Sequence, residues 1–109
     1  MKIEGTPDGI RISGLRELDE QQAGEIIEGV RSALPPEPRV IEFDLSRVAT
    51  IDAAGVGVLL EAHDAVTSLG AAPTWRLLHP APPVRQLLEL VRLHRVFEIV
   101  PPRGGAAFP

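Results

Sequence analysis

The residues of this chain whose types could do chemistry are two aspartates, three histidines and a short pair of glycines. Asp44 and Asp52 lie close in sequence, and paired carboxylates suit general acid–base work or a divalent cation. Either role needs a third group, and no base, nucleophile or further ligand stands near them in sequence. Each aspartate also has a simpler use. Asp44 ends an apolar run, where a short carboxylate accepts a hydrogen bond from the backbone of a turn. Asp52 stands before Ala53-Ala54-Gly55-Val56, where it suits the N-cap of a helix. His63, His79 and His94 are not at metal-ligand spacing. His63 falls on an apolar helical stripe and reads as a half-buried packing residue, His79 precedes Pro80 in a loop, and His94 lies near the last strand. The Gly55-x-Gly57 pair lacks the third glycine and the downstream acid of a dinucleotide fingerprint. With no nucleophile–base pair and no phosphate loop, enzyme chemistry has no foothold, and no cofactor or metal is expected.

Composition narrows the classes further. At 109 residues the chain is one domain with a thin core. Its 44% hydrophobic and 24% charged residues are those of a globular fold rather than a disordered one. Cysteine is absent, so disulfides and thiolate sites are excluded. A net charge of −4 opposes a nucleic-acid binder, which needs a clustered basic face. No apolar run approaches a membrane span, and Met1–Gly5 opens no apolar signal segment; the expected setting is the cytoplasm, without membrane insertion.

These residues need elements to hold them. Gly9–Gly14 alternates and reads as a short strand, with Lys2–Glu4 as a hairpin partner across a Pro7-Asp8-Gly9 turn. Asp19 to Leu34 predicts a helix: Asp19 caps it, Gln22 takes the capping-box position, and Ala23, Ile26, Ile27, Val30 and Leu34 share one face. Pro35 and Pro36 stop it. Val40–Leu45 is the best strand, and Ser46–Ile51 a loop. A second helix runs from Asp52 to about Ser68 on a stripe of Val56, Leu59, Leu60, His63, Val66 and Leu69, ending at Gly70. Thr74–Leu78 is a second central strand bearing Trp75, which reads as core. Pro82 and Pro83 open a third helix with Val84, Leu87, Leu88 and Val91 inward, and Val96–Val100 is the last strand. The expected domain is 1–100, followed by a loose tail over 101–109. Helices alternating with strands imply a mostly parallel sheet of four to five strands. The helices should pack mainly on one face, leaving Glu42 and Arg76 on the other.

A family resemblance sits on these elements. Ile41–Leu60, reading IEFDLSRVATIDAAGVGVLL, resembles the core of STAS domains, the sulfate-transporter and anti-sigma-antagonist family. That core has a strand ending in an Asp-Leu-Ser type turn, a short loop, then Asp, two small residues and glycine at a helix start. Leu77-Leu78-His79-Pro80, Val84–Leu90 and Leu93–Ile99 look like the C-terminal half of anti-sigma factor antagonists. The resemblance covers Val40 to Ile99 and implies a single α/β STAS-like domain that binds another protein without catalysis. In such partner-switching systems the antagonist binds an anti-sigma kinase, and phosphorylation of a serine directly after the loop aspartate breaks the complex. This chain has Ala53 at that position and Ala54 next, so switching there is chemically closed. Ser46 and Thr50 are close by but match other positions.

What the resemblance implies for sites is a partner-binding edge of Asp44, Ser46, Thr50, Asp52, Ala53, Ala54, Gly55 and Val56, with Ala53 as the phosphosite equivalent. Asp52 serves as a cap whether or not it also meets the partner. Gly55 and Gly57 each cost roughly 1 kcal/mol in a helix interior relative to alanine, so packing or contact must compensate. The expected partner is an anti-sigma factor with serine-kinase activity, or a signalling scaffold. The alternative is the ATPase of an ABC-type lipid transporter, since STAS domains also serve transport systems. A small-ligand sensor is the remaining class. The chain itself is expected to be a monomer or weak homodimer.

Overall fold

In the computed structural model, residues 1–102 are described, so the tail expected over 101–109 lies, beyond its first two residues, outside the described residues. The chain opens with strand β1 (Lys2–Gly5), which turns through Thr6–Gly9 into β2 (Gly9–Ser13). Mutual backbone hydrogen bonds between Thr6 and Gly9 close that turn, and the Thr6 hydroxyl accepts from the Gly9 N–H at 3.0 Å. Gly9 has no alternative here: a Cβ would sit 1.7 Å from the Val40 carbonyl oxygen on the neighbouring strand. The hairpin is therefore set by local turn chemistry and by one close backbone approach.

Helix α1 (Glu20–Ala33) begins where the sequence predicts, with the Asp19 carboxylate accepting from the Gln22 N–H at 3.1 Å. The return arm of the capping box is not made, and Gln22 Oε1 is buried without a partner among the described residues. Strand β3 (Val40–Asp44) leads to α2 (Ala53–Thr67), capped by Asp52, and Gly70 at φ +86° turns the chain toward β4 (Thr74–Leu78). Helix α3 (Pro82–Leu90) carries proline in its first turn and is followed by a 3-10 turn, Leu93–Arg95, and by β5 (Glu98–Val100).

Two expectations shift. The last strand starts at Glu98 rather than Val96, because the N–H groups of Val96 and Phe97 both donate to the Leu93 carbonyl and leave the ladder. In α2 the inward residues are Gly55, Val58, Leu59, Ala62 and Val66, while Leu60 and Leu69 face outward. Val91 is likewise exposed beyond the end of α3.

Among the described residues, five strands lie in the order β1-β2-β3-β4-β5, with β1 alone antiparallel. Each parallel step passes through a helix in the same direction, and right-handed crossovers of that kind stack the helices on one side. The inward residues Ile10, Ile12, Ile41, Phe43, Trp75 and Leu77 meet α1, α2 and α3 in one buried cluster. On the opposite side, register lines up Arg11, Glu42, Arg76 and Glu98 across β2 to β5. Ion pairs of 3.0, 3.7 and 3.3 Å run along this row. Lateral ion pairs balance charge along the open face, each contributing about 0–1 kcal/mol, although Arg76 Nε is buried without a hydrogen-bond partner among the described residues.

Arg92 holds φ +63° directly after α3, its N–H donating to the Glu89 carbonyl in a left-handed helix ending. Only glycine adopts that conformation without strain. Arg92→Gly should therefore raise stability by about 1 kcal/mol, read as a higher urea midpoint at unchanged slope. A lower midpoint would mean that the arginine side chain contributes more than its backbone costs.

Candidate functional site

The candidate edge starts at the carboxyl end of β3. Asp44 is half-buried, and its Oδ1 accepts from the Ser46 N–H at 2.9 Å, which folds the backbone into a turn. Leu45 and Val48 are buried and anchor the loop from below; the Leu45 N–H donates to the Leu78 carbonyl and the Val48 N–H to the Leu45 carbonyl. Ser46, Arg47, Ala49 and Thr50 are left facing solvent. The loop is thus pinned at two apolar residues and presents the rest.

Asp52 then caps α2, its Oδ1 accepting from the Gly55 N–H at 3.0 Å while its carbonyl accepts from Val56. Ala53 is exposed in the first helical position, and Ala54 and Val56 are half-buried. Gly55 is buried, and its lack of a side chain has a packing reason: a Cβ would come within 2.7 Å of Ile51 and 3.1 Å of the Leu18 carbonyl. It lets the β2–α1 connection press against the start of α2. Gly57 has no such reason, since a Cβ there would meet nothing within 4 Å.

Folding adds two walls that lie outside the expected partner-binding edge. Arg16, Glu17, Leu18 and Asp19 come alongside Ala49–Asp52 and enclose a polar cleft of about 580 Å³, so both helix caps line one opening. On the other flank, Thr50 and Ile51 face Pro83, Gln86, Leu87 and Leu90 of α3 across a groove of about 480 Å³. Parallel topology explains both, because it gathers helix starts at the carboxyl edge of the sheet. The local sequence of neither segment carries a signal for it.

The chemistry open to this arrangement is contact. The carboxylates of Asp44 and Asp52 each hold a backbone N–H, in the turn and cap roles expected for them. Among the described residues no three His, Cys, Asp or Glu side chains gather as a metal site. His63 lies against Trp75 and Phe97, with ring centroids 5.1 and 5.8 Å away, as a packing residue, and Trp75 is core. No described helix is long and apolar enough to cross a membrane.

Comparison with known proteins agrees with this architecture. The STAS-domain family model matches residues 3–106. The crystal structure of a proposed anti-sigma factor antagonist from Thermotoga maritima, TM1081, superposes with a TM-score of 0.73 at 22% identity, covering 96% of this chain and 89% of that one. The NMR structure of TM1081 gives a TM-score of 0.70 at 22% identity, over 91% of this chain and 78% of its own. At that identity the likeness speaks for the fold. No curated protein matches the sequence. The mostly parallel sheet is thus that of a known domain type, and the chain belongs to the STAS-domain family.

Proposed function

We propose that this domain is a non-catalytic regulatory module of the anti-sigma-antagonist type, working in the cytoplasm. It holds a protein partner on the edge formed by Asp44, Ser46, Thr50, Asp52, Ala53, Ala54 and Val56, with Gly55 supporting that edge from beneath. The partner is an anti-sigma factor with serine-kinase activity or a signalling scaffold. Release does not depend on phosphate at the helix start. The observation that carries this is Ala53, exposed directly after the Asp52 cap and lacking a hydroxyl. A phosphate there would add nearly two negative charges to a surface the partner must cover, and alanine removes that option.

Co-purification on the tagged domain from its native cell should recover such a kinase or scaffold. Incubating the wild-type domain with the recovered kinase and Mg-ATP should leave its intact mass unchanged. Ala53→Ser should gain the mass of one phosphoryl group and lose the complex. Stoichiometric phosphate on wild-type Ser46 or Thr50 would overturn the unswitched reading. Recovery of a transporter ATPase alone would move the domain to a transport accessory role.

A further inference from the structure

The end of α3 is the part of the surface that folding leaves unexplained. Leu90 is 78% exposed, Val91 45% and Val96 44%, and among residues 90–96 only Leu93 turns into the core. Leu90 also lines the groove between Ile51 and Leu87, so exposed apolar surface and a concave site meet at this residue. Apolar groups grouped with a groove mark a contact surface more strongly than isolated exposed leucines.

The charged groups here that lack an ion-pair partner among the described residues are basic. Arg92, His94 and Arg95 alternate with the exposed apolar residues, and Arg47 projects from the β3–α2 loop. None of these arginines makes an ion pair with a described residue, whereas Glu89, the acid of α3, is engaged with Arg85 at 3.4 Å, and Glu98 pairs with Arg76 on the opposite face of the sheet. The chain as a whole is net −4, and apart from Glu89 its exposed helical carboxylates, Glu20, Glu25, Glu28, Glu61 and Asp64, belong to α1 and α2. The basic corner is therefore a local feature that runs against the overall charge.

We infer that the α3 groove is a second docking wall for the partner, and that it takes an amphipathic acidic helix. The helix lays apolar residues over Ile51, Leu87 and Leu90 and sets carboxylates opposite Arg92 and Arg95. The inference rests on the reading of the Asp52 edge as a partner surface, since Thr50 belongs to both and Ile51 links them. An amphipathic helix in an apolar groove is a common recognition mode, and complementary charge sets its orientation. A concave groove favours a helix over a flat anionic bilayer, which would use the same apolar and basic groups.

The test uses defined probes, so it fails or succeeds separately from any search for the cellular partner. A labelled amphipathic peptide of about five helical turns, built from leucine, alanine and glutamate, is titrated against the folded domain beside its lysine-for-glutamate counterpart. The glutamate peptide should bind with Kd below about 100 µM and the lysine peptide at least about tenfold more weakly. Leu90→Asp, and separately Arg92→Glu with Arg95→Glu, should each weaken the glutamate peptide by about tenfold or more while thermal melts remain cooperative. Equal binding of the two peptides, or no binding of the glutamate peptide, overturns the inference. So does sedimentation of the domain with phosphatidylserine-containing vesicles, but not with pure phosphatidylcholine, while the glutamate peptide stays unbound.

Discussion

Phe97→Ala is expected to remove about 3–5 kcal/mol of folding stability, a large share of the 5–15 kcal/mol typical of a domain. Phe97 is 1% exposed and closes the corner where the 3-10 turn meets β5. Its ring stands edge-on to Trp75 at 5.7 Å and tilts against His63 at 5.8 Å. Trp75 in turn stacks with Phe43 at 6.2 Å, so these rings join β3, β4, α2 and the last turn. A truncated Phe97 leaves a void that its ring neighbours cannot readily fill, because Trp75 and His63 are held by a paired strand, β4, and a packed helix, α2. The loss combines transfer, cavity and aromatic terms. Urea unfolding followed by the fluorescence of the single tryptophan gives the value. Leu90→Ala is the control and should shift the midpoint by no more than about 0.5 kcal/mol. Equal losses for the two variants would mean that the aromatic corner is not part of the cooperative core.

The same corner shows what the sequence makes legible and what it hides. Caps are local, so Asp19 and Asp52 could be placed from the residues that follow them, and both carboxylates hold the N–H expected of an N-cap. Parallel order was legible because strands alternate with helices. Glu42 and Arg76 were readable as open-face residues from alternation alone. Their alignment with Arg11 and Glu98 depends on strand register, which no single segment encodes. Apolar periodicity also overcounts the core. It placed Leu60, Leu69 and Val91 inward, yet a chain this short offers too little interior for every stripe residue. For the site, the β3–α2 loop could be recognised from its own residues. The β2–α1 connection and α3, which flank it, join only through tertiary packing. Gly55 gains its packing reason from Leu18, a contact between segments far apart in sequence.

Ala53→Asp should weaken partner binding by about a hundredfold or more while leaving the fold intact. The two effects separate because Ala53 has two neighbours of opposite character. Toward its own chain it occupies the first turn of α2, where an acid favours the helix dipole by about 0.3–1 kcal/mol. Its side chain is exposed and touches no packed layer that a carboxylate would disturb. Toward a partner, the added charge must be stripped of water beside the Asp52 carboxylate, which is committed to the Gly55 N–H and offers no compensation. Ala53→Asn keeps the size of aspartate without its charge, and its milder loss would assign the effect to electrostatics rather than bulk. Calorimetric titration with the recovered partner measures affinity, and a urea midpoint at or slightly above wild type checks the fold. If Ala53→Asp binds as wild type does, the partner does not cover the start of α2. The interface then lies elsewhere, with the α3 groove as the first surface to examine because of this edge it includes Thr50 alone.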